Sequence, residues 1–484
     1  MNLKVISINV GRALLVSALF MFLSLVVSIV NGMDSSFGPL AISFIITFIF
    51  GSFPFIFVRS ASAISIKEGY FIIILSWLLS FIFGMLPYVL WGEEFTLVNA
   101  WFESVSGYTT TGATILDNVE GLPRGLLFWR SSTHFIGGLG IVAFLLLVLP
   151  SASPLRFRLT NMDMSSLSRE GYGYRSMRAV YVILAVYVGM FICAAFSFFF
   201  AGMSPFDAIN HGFSVVATGG FSTKNMSVSY YDSVLINMIA TFFMLLSSLH
   251  YGLIFASLVT RSLRPIFKQP TVKYYFISIA VMTILIAVSL KLHGNDLGWV
   301  KATADSFFMV CNYVTSTGFG TSDNSTWPFI AGIVLLFASL QGGCAGSTTG
   351  GLKVDRFYIA ARAVAQQIRS SIHPGSVSKV RVGGHYVDDR VAMSAILYIL
   401  LHCTIIIIGI FLLLMCGVDI IDAISGSVAS MGNIGPGLGD IGSFSTYAAQ
   451  PAAAKVIYTL EMILGRTEIY PVLVVVSLIF KRDK

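Results

Sequence analysis

The sequence predicts an all-α membrane protein in which two N-terminal spans precede four similar repeats. Of its 484 residues, 56% are hydrophobic and only 11% are charged, whereas soluble domains carry about 25% charged residues. Long apolar runs recur along the chain, and all but the short run at 327–340 can cross a bilayer, which takes about 20 helical residues. The runs cover residues 10–31, 38–58, 70–91, 124–150, 178–202, 233–260, 274–292, 327–340, 391–416 and 452–480.

Basic residues indicate how these spans are oriented. Of the 30 Lys and Arg residues, 23 fall in alternate loops and near the two ends of the chain, and such a bias marks the cytoplasmic side. The alternation predicts ten crossings with both termini in the cytoplasm. The formal charge of +7 is therefore interpreted as a topology signal, and we expect no nucleic-acid partner. Of the 23 acidic residues, sixteen lie outside or within the membrane layer, and an acidic outer face raises the local cation concentration.

The four repeats are defined by similar segments between spans on the outer side, at residues 99–114, 206–223, 304–321 and 421–437. Each begins as a short helix with an acid in its early part, which suits the helix dipole, and ends in small and hydroxyl residues before a glycine. The acids are Glu103, Asp207, Asp305 and Asp422. The aligned glycines are Gly112, Gly219, Gly318 and Gly432, spaced by 107, 99 and 114 residues. This periodicity predicts repeats at residues 68–150, 178–260, 273–370 and 390–480, after two spans within 1–60.

The short helices suggest a cation pore. At about ten residues each they cannot cross the bilayer, and their C-terminal ends would direct partial negative charge toward a shared axis. Backbone carbonyls after the glycines could then replace the hydration shell of an ion. A single glycine after a short helix is equally an ordinary C-cap. Four copies on one side of the membrane favour the pore.

Four motifs carry a resemblance to a known family. TTTGAT at 109–114, ATGGFST at 217–223, TSTGFGT at 315–321 and NIGPGLGD at 433–440 resemble the pore loops of TrkH-type subunits of the Trk/Ktr/HKT superfamily. The resemblance covers the whole chain, and the two extra N-terminal spans favour the TrkH branch. It implies four covalently linked span–pore-helix–span repeats around one pore.

The same resemblance implies a selectivity filter that binds K⁺. The predicted filter residues are Thr110, Thr111, Gly112, Ala217, Thr218, Gly219, Ser316, Thr317, Gly318, Met431, Gly432 and Asn433. Met431 stands where the other repeats have threonine before glycine, and no repeat contains TVGYG. We therefore expect moderate selectivity for K⁺ and Rb⁺ over Na⁺.

A glycine-rich break follows the third filter segment and is the predicted gate. It comprises Gln341, Gly342, Gly343, Cys344, Ala345, Gly346, Ser347, Thr348, Thr349, Gly350 and Gly351. Irregular backbone at membrane depth is tolerated only where it is buried in protein or lines a cavity. The segment resembles the intramembrane loop that obstructs the pore in that family. Its Ser and Thr hydroxyls could coordinate an ion. A kink needed only for packing is the alternative.

Arg466 is the predicted barrier within the pore. It lies about 15 residues into the last span, roughly 22 Å deep at 1.5 Å per residue. An arginine at that depth is costly unless it faces the bundle interior or an aqueous cavity. The resemblance implies a pore-facing arginine below the filter, which repels cations. The alternative is a buried ion pair with Glu461 or Glu468.

Together these features predict gated, channel-like K⁺ uptake across the bacterial inner membrane. The family implies a homodimer and a cytosolic TrkA-type nucleotide-binding regulatory subunit. We expect no cofactor in this chain, only K⁺ as the permeating ion. A secondary transporter that couples K⁺ to H⁺ or Na⁺ remains an alternative. An intramembrane serine protease is disfavoured because no GxSxG motif occurs.

Overall fold

The computed structural model describes residues 2–58, 65–148, 176–293, 298–373, 380–382 and 385–480. Within these ranges the regular structure is helical, apart from a two-residue hairpin in which β1 (Arg381–Val382) pairs antiparallel with β2 (His385–Tyr386). The predicted all-α fold is therefore confirmed. The predicted boundaries at residues 60 and 150 fall outside the described residues.

The two N-terminal helices form a hairpin. Helix α1 (Leu3–Val30) packs along α2 (Phe37–Phe57). Their backbones approach closely at a glycine pair, since a Cβ on Gly11 would lie 2.6 Å from the Gly51 carbonyl oxygen. Small residues at such crossings allow close packing of helices in membranes. At the turn, Asp34 accepts from Ser28 Oγ at 2.6 Å and from the Gly125 amide at 3.2 Å, which ties the hairpin to the helix that begins at Arg124.

Four units follow. Each has a first span, then a short half-helix, and then a second span, here called the inward helix, which is broken into two helices in three of the units. The first unit contains α3 (Ile66–Gly84), α4 (Leu86–Trp91), α5 (Leu97–Tyr108) and α6 (Arg124–Val148). The second contains α7 (Ser176–Phe200), α8 (Pro205–Ala217), α9 (Val234–Ser247) and α10 (Tyr251–Thr260), and α11 (Arg264–Phe267) links it to the third. The third contains α12 (Pro270–Leu292), α13 (Trp299–Val314), α14 (Phe329–Gln341) and α15 (Val354–Ile372). The fourth contains α16 (Asp389–Met415), α17 (Ile420–Gly432), α18 (Ala452–Thr467) and α19 (Ile469–Phe480).

The half-helices α5, α8, α13 and α17 have 12, 13, 16 and 13 residues. Capping fixes where three of them begin: the side chains of Thr96, Ser204 and Asp419 accept from backbone amides in the first turn. Asp207 and Asp422 lie in the first turn, as the dipole argument predicts. Glu103 and Asp305 do not, because each is the seventh residue of its half-helix. The expectation that all four acids stabilise a helix start is therefore wrong.

The inward helices are bent in more units than the sequence predicts. The run at 233–260 was expected to be one span, but α9 and α10 meet at 102°, and α18 and α19 within 452–480 meet at 105°. The third unit breaks between α14 and α15, as predicted. In the first unit Gly140 has a non-helical backbone inside α6. Six described helices are long and apolar enough to cross a membrane, or eight spans if each bent pair counts as one.

Candidate functional site

The half-helices end in the same way in all four units. Each is followed by a residue in the left-handed conformation, with φ near +50°. The next amide then donates back to the carbonyl five residues earlier, at 2.9–3.0 Å, which is the hydrogen bond that closes a Schellman motif. The left-handed residues are Thr110, Thr218, Ser316 and Asn433. The bonds run from Thr111 to Ser106, Gly219 to Ser214, Thr317 to Asn312 and Ile434 to Ala429.

Two residues after each left-handed residue stands a glycine with positive φ. These four glycines, here called the glycine ring, are Gly112, Gly220, Gly318 and Gly435, with φ of +79°, +82°, +87° and +92°. The structure thus moves the predicted register by one residue in the second unit and by three in the fourth. Gly219 precedes the ring glycine, and Gly432 is the last residue of α17. Gly219 and Gly432 therefore do not share the positive φ of Gly112 and Gly318.

Contacts between neighbouring units close the ring. A Cβ built on each ring glycine would strike the carbonyl oxygen of the residue that precedes the next ring glycine, so no side chain fits there. The pairs are Gly112 with Gly219, Gly220 with Thr317, Gly318 with Ile434 and Gly435 with Thr111. The last contact returns to the first unit. Four backbone carbonyls of equivalent position therefore surround one opening.

Polar atoms accumulate at the inner side of the ring. Thr110 Oγ1 and Asn433 Oδ1 are buried and have no hydrogen-bond partner within the described chain. Asn433 Nδ2 donates to Thr111 Oγ1 at 3.1 Å, which joins the fourth unit to the first. The hydroxyls of Thr315 and Thr317 pair at 2.7 Å. Of the other predicted filter residues, Ala217 and Met431 lie in the last turns of α8 and α17, fully buried.

A buried ion pair braces the ring from behind. Arg130 Nε lies 2.5 Å from Glu103 Oε1, and the side chains are 3% and 0% exposed. Glu103 also accepts from the Thr114 hydroxyl and the Ile115 amide beyond the ring glycine. Arg130 donates to the Ser222 carbonyl at 3.0 Å in the second unit. The sequence pointed to Glu103 as an acid of the repeat but assigned it the wrong role, and it assigned none to Arg130.

Aromatic stacking completes this brace. The His134 ring stacks on the Phe221 ring with centroids 4.0 Å apart, and Arg130 Cζ lies 3.5 Å from the centroid of the same Phe221 ring. A Cβ on Gly219 would strike the His134 ring. Gly219 is thus a glycine because an imidazole fills the space beside it, and not because of its backbone conformation.

In the other three units, a side chain on the half-helix likewise contacts the chain segment that follows the ring glycine, but the residue type differs from unit to unit. His211 Nε2 pairs with Ser222 Oγ at 2.9 Å in the second unit. Asn312 Oδ1 accepts from the Phe319 amide at 2.7 Å in the third, and Ser425 Oγ accepts from the Leu438 amide at 2.9 Å in the fourth. The ring is therefore supported in every unit, although no one residue type does so.

Outside the ring lies a small vestibule of about 90 Å³, lined by all four ring glycines. Asp117, Arg130 and Lys224 are the charged residues on its wall. Thr446 Oγ1 donates to Asp117 Oδ1 at 2.5 Å. The glycine ring therefore opens into a polar cavity that has charged residues on its wall.

Beneath the ring runs the connection between α14 and α15, residues 342–353, here called the inner loop. Nearly all of it is buried, which satisfies the condition for irregular backbone at membrane depth. The second unit holds it through the Cys344 amide, which donates to the Ser248 carbonyl at 2.9 Å, and through Thr348 Oγ1, which donates to the Val216 carbonyl at 3.1 Å. Val216 is in the last turn of α8, so the loop touches the end of a half-helix.

The inner loop also contacts the ends of two further half-helices. The Gly350 amide donates to Ser316 Oγ at 2.8 Å. A Cβ on Gly350 would lie 2.6 Å from the Gly432 carbonyl oxygen and the same distance from Asn433 Cβ. The predicted gate residues Gln341, Gly342, Gly343, Ala345, Gly346, Ser347, Thr349 and Gly351 lie in or next to the same loop. The loop thus spans the space below the left-handed residues of three units.

Arg466 connects the inner loop to the first unit. Its two terminal nitrogens donate to the carbonyls of Thr348 and Gly137, each at 2.6 Å. Gly137 itself packs on the Tyr108 carbonyl at the end of α5. Glu468, one predicted alternative partner of Arg466, pairs with Arg356 at 2.9 Å. The other, Glu461, accepts from Ser427 Oγ at 2.5 Å.

Three of the bends below the ring share one backbone conformation. Gly140, Lys353 and Glu468 have φ of 72°, 69° and 57° with ψ of 136°, 130° and 144°. Glycine adopts this region readily, but residues with a Cβ are strained there by about 1–3 kcal/mol. The inner side of the site therefore stores strain at two charged residues.

A sequence profile for TrkH, described as a cation transport protein, matches residues 39–484 of this chain. The chain belongs to the TrkH family. The predicted resemblance is thereby confirmed, and the protein is a multi-pass membrane transport protein rather than an enzyme.

Curated relatives agree with this assignment. The Trk system potassium uptake protein TrkH of Salmonella typhimurium is 30% identical over 427 residues, 88% of each chain. The Trk system potassium uptake protein TrkG of Escherichia coli K12 is 31% identical and covers 88% of this chain and 87% of its own. The crystal structure of the potassium transporter TrkH from Vibrio parahaemolyticus superposes with a TM-score of 0.89, at 28% identity and with full coverage of both chains.

Proposed function

We propose that this TrkH-family protein takes up K⁺ through a gated, channel-like pore. The observation that carries the proposal is the closed glycine ring, which brings four equivalent carbonyls around one opening. Carbonyl oxygens can replace the hydration shell of a permeating cation. The relatives named as potassium uptake proteins supply the identity of the ion.

The filter in this proposal includes the predicted residues and three that the repeat alignment missed. Gly220 and Gly435 take the ring positions that had been assigned to Gly219 and Gly432, and Ile434 contributes the carbonyl of the fourth unit. Because the fourth unit carries Ile434 and Pro436 where the others carry different residues, we expect K⁺ and Rb⁺ to be preferred over Na⁺ only moderately.

The inner loop is the gate in this proposal, with Arg466 as its clamp and as a positive barrier to cations. Support comes from its contacts with the ends of three half-helices and from the two hydrogen bonds of Arg466. Opening requires the loop to leave the space below the ring. The strained Lys353 at the end of the loop lowers the cost of that movement.

Regulation and location complete the proposal. A cytosolic TrkA-type nucleotide-binding subunit controls the gate, two copies of the chain form a dimer, and both termini face the cytoplasm of a bacterium whose inner membrane holds the protein. The family resemblance and the distribution of basic residues support these points. Co-purification with a nucleotide-binding partner encoded in the same genome tests the first of them.

The decisive experiment records current through the purified protein in a planar bilayer under a K⁺ gradient. We expect reversal near the K⁺ equilibrium potential, a similar response to Rb⁺ and a smaller one to Na⁺. Current that is absent under every gradient, combined with Rb⁺ uptake that requires a proton or sodium gradient, would reject the channel.

One observation favours the alternative of coupled transport. Glu461 is 3% exposed within α18, and its Oε2 has no hydrogen-bond partner among the described residues. A buried carboxyl without a cation is a candidate proton site. Uptake by proteoliposomes with and without an imposed pH gradient, in the wild type and in Glu461→Gln, distinguishes the two functions. If Glu461 couples uptake to protons, the pH gradient should stimulate uptake by the wild type but not by Glu461→Gln.

A further inference from the structure

A lysine stands at the outer mouth of this cation pathway. Lys224 lines the vestibule together with the ring glycines, and it also lines a larger outer groove of about 860 Å³ between residues 120–127 and the start of α8. Its side chain is 20% exposed. The lysine therefore lies between two cavities, with access to both. A positive charge here opposes cation entry, because a mouth of one charge sign changes the local concentration of ions.

Contacts on the groove side hold the ammonium of Lys224. Its Nζ lies 3.6 Å from Glu120 Oε2 and 4.2 Å from the centroid of the Tyr230 ring. Glu120 belongs to the groove wall and is itself fixed through Oε1, which accepts from the Asn225 amide at 3.3 Å. A partly exposed ion pair at this separation contributes little, because solvent screens it. The ammonium can consequently leave Glu120 at little cost.

The other charged groups of the vestibule are fixed. Arg130 is buried against Glu103 and is bonded to the Ser222 carbonyl. Asp117 accepts from the Thr446 hydroxyl at 2.5 Å. Of the charges on the described vestibule wall, Lys224 is thus the one with a weak, partly exposed partner.

We propose that Lys224 is an electrostatic determinant of cation entry, and that Glu120 and Tyr230 hold its ammonium away from the vestibule. Release of the ammonium from Glu120 lowers the cation concentration above the glycine ring and slows loading of the filter. This inference rests on the proposed function, since it assumes that K⁺ passes the ring.

The test is the concentration dependence of Rb⁺ uptake by proteoliposomes that contain the purified protein. Lys224→Gln should lower the half-saturating Rb⁺ concentration by about twofold to fivefold, the range expected for one charge at roughly 10 Å through a partly aqueous medium. The maximal rate should stay the same. Glu120→Gln should raise the half-saturating concentration, because it releases the ammonium. The double variant should behave like Lys224→Gln.

Salt distinguishes an electrostatic role from a structural one. The differences should shrink when an impermeant salt is raised from 0.01 M to 0.15 M, because the screening length falls from about 30 Å to about 8 Å. Lys224→Arg, which keeps the charge, should match the wild type. Glu120→Gln tests the same contact, but it should change the half-saturating Rb⁺ concentration in the opposite direction. The inference therefore stays testable even if Lys224→Gln fails to fold.

Lys301→Gln is the matched control, because Lys301 is an exposed lysine on the third half-helix and does not line the vestibule. Equal shifts in Lys224→Gln and Lys301→Gln would overturn the inference, as would a Lys224→Arg variant that behaves like Lys224→Gln. Absence of Rb⁺ uptake by the wild-type protein would instead reject the proposed function. The two failures are thus distinguishable.

Discussion

The outer and inner parts of the pathway use positive φ in opposite ways. At the glycine ring, all four positive-φ positions two residues beyond the left-handed residue are glycine. At the inner bends, two comparable positions are occupied by Lys353 and Glu468. Glycine takes such a conformation without steric cost, whereas a residue with a Cβ does not. The ring glycines are therefore relaxed, whereas Lys353 and Glu468 are strained; beside the ring, strain falls on the left-handed residues that end the half-helices.

The two regions also differ in symmetry. Each unit contributes the same Schellman hydrogen bond, the same glycine and the same contact to the ring. Below the ring the units diverge: one has a kink at Gly140, two have bends near 100°, and one has the inner loop. Equal contributions suit the coordination of one ion, and unequal ones suit a closure that a single segment makes. Four substitutions test this contrast, beginning with the largest effect.

Loss of Glu103 should damage the ring most. Glu103→Leu leaves Arg130 buried without its carboxylate, which costs about 3–5 kcal/mol. We expect a large fall in the thermal midpoint of the detergent-solubilised protein and loss of Rb⁺ uptake. Asp305→Asn is the control, since Asp305 is also the seventh residue of its half-helix but is half-buried. If both variants lose equal stability, the ion pair is not a brace.

A methyl group in the ring should abolish selective uptake. In Gly318→Ala the new Cβ meets the Ile434 carbonyl while φ is +87°, so the backbone of two units must shift. We expect at least a tenfold loss of Rb⁺ uptake and a lower preference over Na⁺, because the carbonyls move. Gly189→Ala adds the same methyl in open space on α7 and should leave both unchanged. Wild-type selectivity in Gly318→Ala would contradict the ring as filter.

Removal of the Arg466 guanidinium should free the inner loop. Arg466→Gln loses charge-assisted hydrogen bonds to Thr348 and Gly137, each worth about 1.5–3 kcal/mol. Basal Rb⁺ flux without a regulatory subunit should rise by about tenfold. Arg369→Gln removes an exposed arginine of α15 and should leave the flux unchanged. A flux that stays at the wild-type level in Arg466→Gln would show that this arginine does not clamp the gate.

The smallest effect should come from relief of backbone strain. Lys353→Ala and Lys353→Gly both remove the ammonium that donates to Thr349, but only glycine also relieves the positive φ. The glycine variant should be more stable than the alanine variant by about 1 kcal/mol. Thermal midpoints in detergent measure this difference. Equal midpoints would mean that Lys353 is unstrained and that the contrast between ring and bends fails at this position.

Much of this architecture could be predicted from the sequence because its signals are local. Apolar runs locate the spans, and the broken third inward helix follows from Gly342 and Gly343. The sequence could not predict which glycine of each unit belongs to the ring, because it does not reveal φ. Gly432, the last residue of a half-helix, and Gly435, which has positive φ, are indistinguishable at that level. Only the hydrogen bond that closes each helix end separates them.

Contacts between distant parts of the chain were equally hidden. The pairing of Glu103 with Arg130 and the bonds from Arg466 to Thr348 and Gly137 join residues that are far apart along the chain. The bends at residues 248–250 and at Glu468 were missed because each run, despite a few polar residues, is apolar enough on average to predict one span. Hydropathy measures length and polarity, and it does not register backbone direction.

The closure of the ring within one polypeptide has a genetic consequence. In a pore made of four identical chains, a mutation enters every quarter of the ring at once. Here the contact between Gly435 and Thr111 joins the last quarter to the first within a single gene product. Each codon therefore alters one quarter alone, so the four positions can drift independently, and a change that would be lethal in four copies can persist in one.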